Sequence, residues 1–309
     1  MEALFNEWSL HHIPSDMNLT MRVQPVHFAD NIDVEEVQPR QDLEALELRN
    51  VSVRYQSEGR DVVAVEDFSA EVPSGSFVSV IGPSGCGKSS VLNVMAGYLR
   101  PTKGEATMGG KPIMGPGPDR VVVHQQTSAL LPWLNVQDNV ALGLLAQGLS
   151  KRQRREAAKH YLDMVRLTGF EKHPIYHLSG GMRQRVALAR ALATESKIVL
   201  MDEPLGAIDA LQREMMQDFL LKLWAASKRS FFLITHSVEE AIYLSTRVLA
   251  MSARPGKIIA HRDTDFGRRA LNAPTEKLKT SAGFIALQAE LLDILISNSS
   301  GNSTEVAEH

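Results

Sequence analysis

The chain has a single cysteine, Cys86, in 309 residues, so no disulfide can form within it and a reducing compartment is expected. No apolar run approaches the roughly 18 residues that a membrane-spanning helix needs, so nothing here is expected to cross a bilayer. Charge of one sign is also missing. The 33 basic side chains face 36 acidic ones, a net −3 at pH 7, which argues against a dedicated nucleic-acid surface. The opening Met1-Glu2-Ala3-Leu4-Phe5 lacks the basic and apolar regions of an export signal. The Asn-x-Ser/Thr triplets at Asn18, Asn298 and Asn302 therefore carry no weight. What remains is a chain 44% apolar, enough to bury a large core as one big domain or two smaller ones.

The stretch with the most chemistry in it is Gly82-Pro83-Ser84-Gly85-Cys86-Gly87-Lys88-Ser89-Ser90. Gly82, Gly87, Lys88 and Ser89 fill the spacing G-x-x-x-x-G-K-[ST] of a phosphate-binding loop. An apolar strand pattern, Phe77 to Ile81, leads in, and a helical pattern with Val91, Leu92, Met95 and Leu99 on one side leads out. The glycines let several backbone N–H groups point at one anion, and the helix N-terminus adds its positive dipole end. Lys88 is expected to reach the β- and γ-phosphates of a nucleotide, and Ser89 to hold Mg²⁺. A helix N-terminus can lower a thiol pKa, so alkylation of Cys86 is expected to block activity unless the residue only fills a tight loop.

Around this loop the chain alternates strand and helix patterns. Residues 1–42 have no sustained period and read as a loosely ordered arm with an acidic patch from Asp30 to Glu36. Leu46 and Leu48 alternate, then Val51, Val53 and Tyr55 alternate on the other parity, which predicts a bulge near Asn50. A strand over Val63–Val72 follows, and later Val121–Val123, which delivers Gln125 and Gln126. From 134 to about 195 the pattern turns helical, with Val136, Val140, Leu144 and Leu145 placed on one face and a Ser150/Gln153 capping box. Ser179-Gly180-Gly181 opens a long helix and forms a second backbone-rich N-terminus. Ile198–Met201 is apolar throughout, as in a buried parallel strand, and ends in Asp202-Glu203. Ligands gather at that end of α/β sheets, and adjacent carboxylates there call for a cation. Leu211, Met215, Phe219 and Leu223 recur every fourth residue, and Phe231–Ile234 ends in Thr235-His236, with Ser237 and Glu240 as a further capping box. Phe284, Leu287, Leu291, Leu292 and Leu295 form a helix face whose packing partner the sequence does not choose.

In this order and spacing the phosphate loop, the Gln after an apolar strand, Leu178-Ser179-Gly180-Gly181, strand-Asp202-Glu203, Asp209 and strand-His236 closely resemble the ATP-binding-cassette ATPases over about residues 43–260. Gly115-Pro-Gly-Pro-Asp-Arg120, Leu130-Leu-Pro-Trp133 and Leu221-Lys-Leu-Trp224 are similar to the importers of nitrate, sulfonates and taurine, the taurine-import members nearest. The resemblance implies an α/β fold, a P-loop NTPase with a RecA-like core, a β-subdomain and an inserted helical subdomain at about 134–195. A helical extension over 261–296 and a tail over 297–309 complete the expected division. It implies ATP and Mg²⁺ as cofactors and a head-to-tail homodimer. Each ATP would sit between residues 82–90 of one copy and Ser179, Gly180 and Gly181 of the other, and Asp209 would also bind the nucleotide. Tyr55 would stack on adenine. Ser89, Asp202 and one of the two glutamines, Gln126 favoured over Gln125 by counting back from Leu130-Leu-Pro-Trp133, would order Mg²⁺, Glu203 would act as general base, and His236 would contact the γ-phosphate. The implied partners are transmembrane permease subunits and, indirectly, an extracytoplasmic solute-binding protein, with the chain on the cytoplasmic face of the inner membrane and no nucleic acid bound. A soluble cassette working on ribosomes or DNA is the remaining alternative; it lacks the second cassette or long coiled coil usual there.

Overall fold

The computed structural model describes residues 44–57, 60–124, 129–194, 196–206, 209–227 and 229–300. The expected N-terminal arm, Gln125, Gln126 and the end of the tail lie outside these. Two antiparallel strands open the chain, β1 (Leu46–Ser57) and β2 (Arg60–Val72). β3 (Phe77–Ile81) runs through the phosphate loop into α1 (Lys88–Ala96). β4 (Lys103–Met108), β5 (Lys111–Pro112) and β6 (Arg120–Val123) follow. Between β6 and the next strand the described residues are helical: α2 (Val136–Ala141), α3 (Lys151–Met164) and α4 (Gly180–Leu192), with 3₁₀ turns over Leu142–Gln147 and Ile175–His177. β7 (Ile198–Asp202), α5 (Ala210–Ser227), β8 (Ser230–Thr235), α6 (Val238–Leu244) and β9 (Arg247–Met251) then alternate. β10 (Ile258–Asp263), α7 (Phe266–Arg269), α8 (Thr275–Lys279) and α9 (Ala282–Ser300) close the described chain.

The strands form two sheets, an antiparallel one ordered β2-β1-β4-β5 and a six-stranded one ordered β10-β9-β3-β8-β7-β6. In the second, β9, β3, β8, β7 and β6 run parallel and β10 is antiparallel at the edge. Its central strands β3, β7 and β8 bury both faces, which is why they read as near-continuous apolar runs. Phe77, Ile81, Val199, Met201, Phe231 and Leu233 meet helices on one side. Val78, Val80, Ile198, Leu200, Phe232 and Ile234 meet α1 and the antiparallel sheet on the other. β1 slips register between Leu48 and Val51 with Asn50 at φ 52°, so Leu46, Leu48, Val51 and Val53 all reach the same core.

One packing expectation changes, and two helices whose packing the sequence left open find their faces. α2 stops at Ala141 and the chain tightens into a 3₁₀ turn over Leu142–Gln147, so Leu144 is buried while Leu145 points to solvent. On α5 Met215 is exposed and Met216, Leu220, Leu221, Leu223 and Trp224 are buried. A strict four-residue repeat drifts about 40° per step around an α-helix, so it cannot stay on one face for three steps. α9 packs on this chain itself, against α6, β9 and β10. Phe284 meets Phe266 edge-on at 5.2 Å, and Arg262 pairs with Glu290 across the same contact. The helix runs on to Ser300, past Ser297 where the polar pattern puts the start of the tail.

Candidate functional site

The end of β3 is held so that its loop must curl. Gly87 sits at φ 105°, and a Cβ there would fall 2.7 Å from both the Ala64 carbonyl oxygen and Val65 Cγ2 of β2. Only glycine fits a backbone pressed that closely against a neighbouring strand in a left-handed conformation. The loop opens α1, whose first N–H groups face a cleft of about 320 Å³. Lys88, 6% exposed, donates from Nζ to the carbonyls of Gly82 at 2.7 Å and Pro83 at 3.0 Å. Nζ also donates to Cys86 Sγ at 4.0 Å, so the loop holds the ammonium in place, and a phosphate would engage it by replacing this weak sulfur contact.

The structure brings eight of the expected residues to this cleft. Tyr55, Ser84, Gly85, Gly87, Lys88, Ser89, Ser90 and Glu203 line it. Tyr55 lies near the end of β1, 41% exposed, and its hydroxyl lies 3.0 Å from Ser90 Oγ. Asp202 closes β7 and takes a hydrogen bond from the Ser89 hydroxyl; burial lifts its carboxyl above the ordinary range, Ser89 opposes this, and Glu203 adds repulsion. Glu203 follows at φ 44°, a region costly for a side chain with a Cβ, and its N–H is tied to the Ile234 carbonyl of β8 at 2.9 Å. His236, just past β8, places Nδ1 3.4 Å from Glu203 Oε2. The parallel order β3-β8-β7 is what delivers these side chains to one sheet edge.

The donor set fits a hard divalent cation. A hydroxyl and a carboxyl, Ser89 and Asp202, meet beside the anion cradle, and oxygen ligands are what Mg²⁺ takes, with phosphate completing its shell. Asp202 is half-buried, and a cation beside it would favour its carboxylate form.

Other expected residues lie apart from this cleft. Ser179 caps α4 by accepting the Met182 N–H at 3.2 Å, and Ser179 and Gly180 are exposed. Gly181 faces the Gln212 side chain of α5, whose N–H is capped by Asp209 at 2.9 Å. The Ser179–Gly181 turn and Asp209 therefore adjoin each other, and neither lines the cleft of their own chain. The second half of the Ser237/Glu240 capping box is absent. Ser237 Oγ accepts the Glu240 N–H at 3.2 Å, but the Glu240 carboxyl turns instead to the Thr235 hydroxyl.

Cys86 corrects a further expectation. It is 1% exposed with its sulfur behind the loop, and burial pushes its thiol up, outweighing the Lys88 charge and the backbone N–H groups. The helix terminus does not win there. Native protein is accordingly expected to resist thiol alkylation that labels the denatured chain at once; rapid labelling of the folded protein would overturn this.

Sequence reasoning missed Val62, Ala64 and Arg254, which also line the cleft. Arg254 donates from Nε and Nη2 to the Gly85 carbonyl at 3.2 and 3.1 Å, bracing the loop from the turn after β9. Its signal is the adjacency of β9 to β3, a strand order no local pattern carries.

Residues 65–206 match the ABC transporter family. The chain is 49% identical over 249 residues to a taurine import ATP-binding protein of Burkholderia pseudomallei, covering 80% of this chain and 95% of that one. Among solved structures it is similar to a dimeric bacterial ABC transporter cassette, with 31% identity, a TM-score of 0.64, and coverage of 71% of this chain and 98% of that one. A post-hydrolysis dimer of such a cassette bound to ADP and phosphate matches with 29% identity, a TM-score of 0.63 and the same coverage, 71% and 98%.

Proposed function

We infer the function from the family: the chain belongs to the ABC transporters, as an ATP-binding subunit of an importer. It is an ATPase. The observation that carries the reading of the site is the convergence of Lys88, Ser89 and Glu203 on one cleft at the end of β3 and β7. The backbone of residues 82–90 and the Lys88 ammonium cradle the ATP phosphates, and the exposed Tyr55 ring takes the adenine face. Ser89 and Asp202 would hold Mg²⁺, with Gln126 from outside the described residues, and the cation would supply charge neutralisation for the phosphate oxygens. Glu203 orients and polarises the attacking water, and His236 contacts the γ-phosphate. Most of this catalysis is positioning and charge neutralisation, which suits a site with few groups held by a rigid sheet edge.

Ser179, Gly180, Gly181 and Asp209 serve the site of a second copy. The exposure of Ser179, Gly180 and Asp209, and the absence of all four from their own cleft, support a head-to-tail homodimer that closes over two ATP molecules. The helical stretch between β6 and β7 carries the Ser179 turn to that second copy. Closing and opening would then drive separate permease subunits at the cytoplasmic face of the inner membrane. Among the described residues no helix is long and apolar enough to cross a membrane.

The similarity to taurine import proteins supports taurine as the solute delivered by a binding protein to that permease, with nitrate or another sulfonate as the competing substrate. Disrupting this gene in its native host should abolish growth on taurine as sole sulfur source and leave growth on sulfate intact. Unimpaired growth on taurine, with growth lost on nitrate or another sulfonate, would overturn the substrate.

A further inference from the structure

One buried carboxyl beside the hydrolytic residues has no part in the roles above. Glu240 lies in the first turn of α6 and is 5% exposed. A reciprocal capping box would send its side chain back to the Ser237 N–H. Here that N–H donates to Thr235 Oγ1 at 3.1 Å, and the Thr235 hydroxyl donates to Glu240 Oε2. The Glu240 N–H in turn donates to Ser237 Oγ at 3.2 Å. The three bonds close a ring through Thr235, Ser237 and Glu240, and the residue enclosed between them is His236.

This ring asks more of the sequence than a helix cap does. Ser237 alone caps the helix. Burying an acid is unfavourable unless its oxygens are satisfied, and Glu240 Oε1 has no hydrogen-bond partner among the described residues. Burial lifts the carboxyl above its ordinary range, against the Thr235 bond and the nearby Arg213 charge. The His236 side chain, meanwhile, is 61% exposed, so packing does little to hold the imidazole 3.4 Å from Glu203. Its position is set by its backbone, and the residues on both sides of it belong to the ring, Thr235 through its hydroxyl and Ser237 through its N–H.

We propose that Glu240 is a positioning residue of the hydrolytic site: through the Thr235 hydroxyl it fixes the backbone flanking His236 and so keeps the imidazole against Glu203. The proposal rests on the reading of Glu203 and His236 given above.

Single-turnover ATP hydrolysis and nucleotide affinity of the full chain test it. Glu240→Ala and Thr235→Val should each lower the hydrolysis rate about 10- to 100-fold, the order expected when a reacting group is misplaced, with nucleotide affinity unchanged. Glu240→Gln keeps an acceptor and Thr235→Ser keeps a donor, so both should restore most of the rate. Glu240→Ala combined with His236→Ala should be no slower than His236→Ala alone, because the first acts through the second. A merely structural Glu240 would lower thermal stability and the folded fraction, leave the rate per bound nucleotide unchanged and add its effect to that of His236→Ala; that result overturns the proposal. Should Glu240→Ala fail to fold, the Thr235→Val and Thr235→Ser pair decides. Wild-type hydrolysis by His236→Ala would sink the reading of the site itself, whereas a slow His236→Ala beside a fast Thr235→Val would sink only the role of Glu240.

Discussion

Lys88→Ala is expected to abolish measurable nucleotide binding while leaving the fold intact. The Nζ of Lys88 is buried, already bonded to the Gly82 and Pro83 carbonyls, and set at the mouth of α1. A hydrogen bond from a charged donor contributes about 1.5–3 kcal/mol, and a phosphate here would engage the ammonium at low dielectric. Losing the ammonium removes that bond and the charge behind it, on the order of 3–4 kcal/mol, or several hundredfold in affinity. The alanine also frees two carbonyl oxygens that then face the incoming phosphate, so part of the cradle turns repulsive. Lys88→Arg is expected to fail too, because a planar guanidinium cannot take the two converging carbonyls in the same space. Calorimetric titration with ATP, beside a thermal melt to show that the variant folds, checks this. Binding within tenfold of the unmodified protein would mean that the anion lies elsewhere.

How far the sequence led depends on how local each feature is. The phosphate loop was legible because its glycines, lysine and serine sit within nine residues and need only the strand before and the helix after. Asp202, Glu203 and His236 were legible for a related reason: each follows an apolar strand, and parallel strands end at one edge. What the pattern could not supply was which strands are neighbours. Arg254 braces the loop only because β9 lies beside β3, and Ala64 crowds Gly87 only because β2 passes behind it. Cys86 shows the same limit in energetic terms. Its place before a helix is local and lowers a thiol pKa, but the burial that raises it comes from the packed core. The Ser237-x-x-Glu240 spacing likewise predicts a reciprocal cap, and the neighbouring Thr235 hydroxyl diverts the acid. The partner of the Phe284 face is equally non-local, since α6 precedes α9 by dozens of residues.

Glu203→Gln should bind ATP, hydrolyse it about 10²- to 10⁴-fold more slowly, and accumulate as a closed dimer. The range is what a general base contributes, and the carboxamide keeps the size and hydrogen-bonding reach of the acid while losing the ability to take a proton. The backbone supports a catalytic reading over a structural one. Glu203 sits at φ 44° with its N–H tied to Ile234, a conformation that costs about 1–3 kcal/mol and persists only where the surroundings impose it. That constraint aims the side chain into the cleft and toward His236 instead of along the sheet. Because Lys88, Ser89 and Asp202 are untouched, the variant keeps its triphosphate, and two copies stay joined as long as the nucleotide between them is uncleaved. Size-exclusion chromatography should then show a dimer with ATP and Mg²⁺ and a monomer when chelator strips the metal. Turnover at the unmodified rate would remove Glu203 from the chemistry; slow turnover without dimer would leave it the base but take Ser179, Gly180 and Gly181 out of the second copy's site.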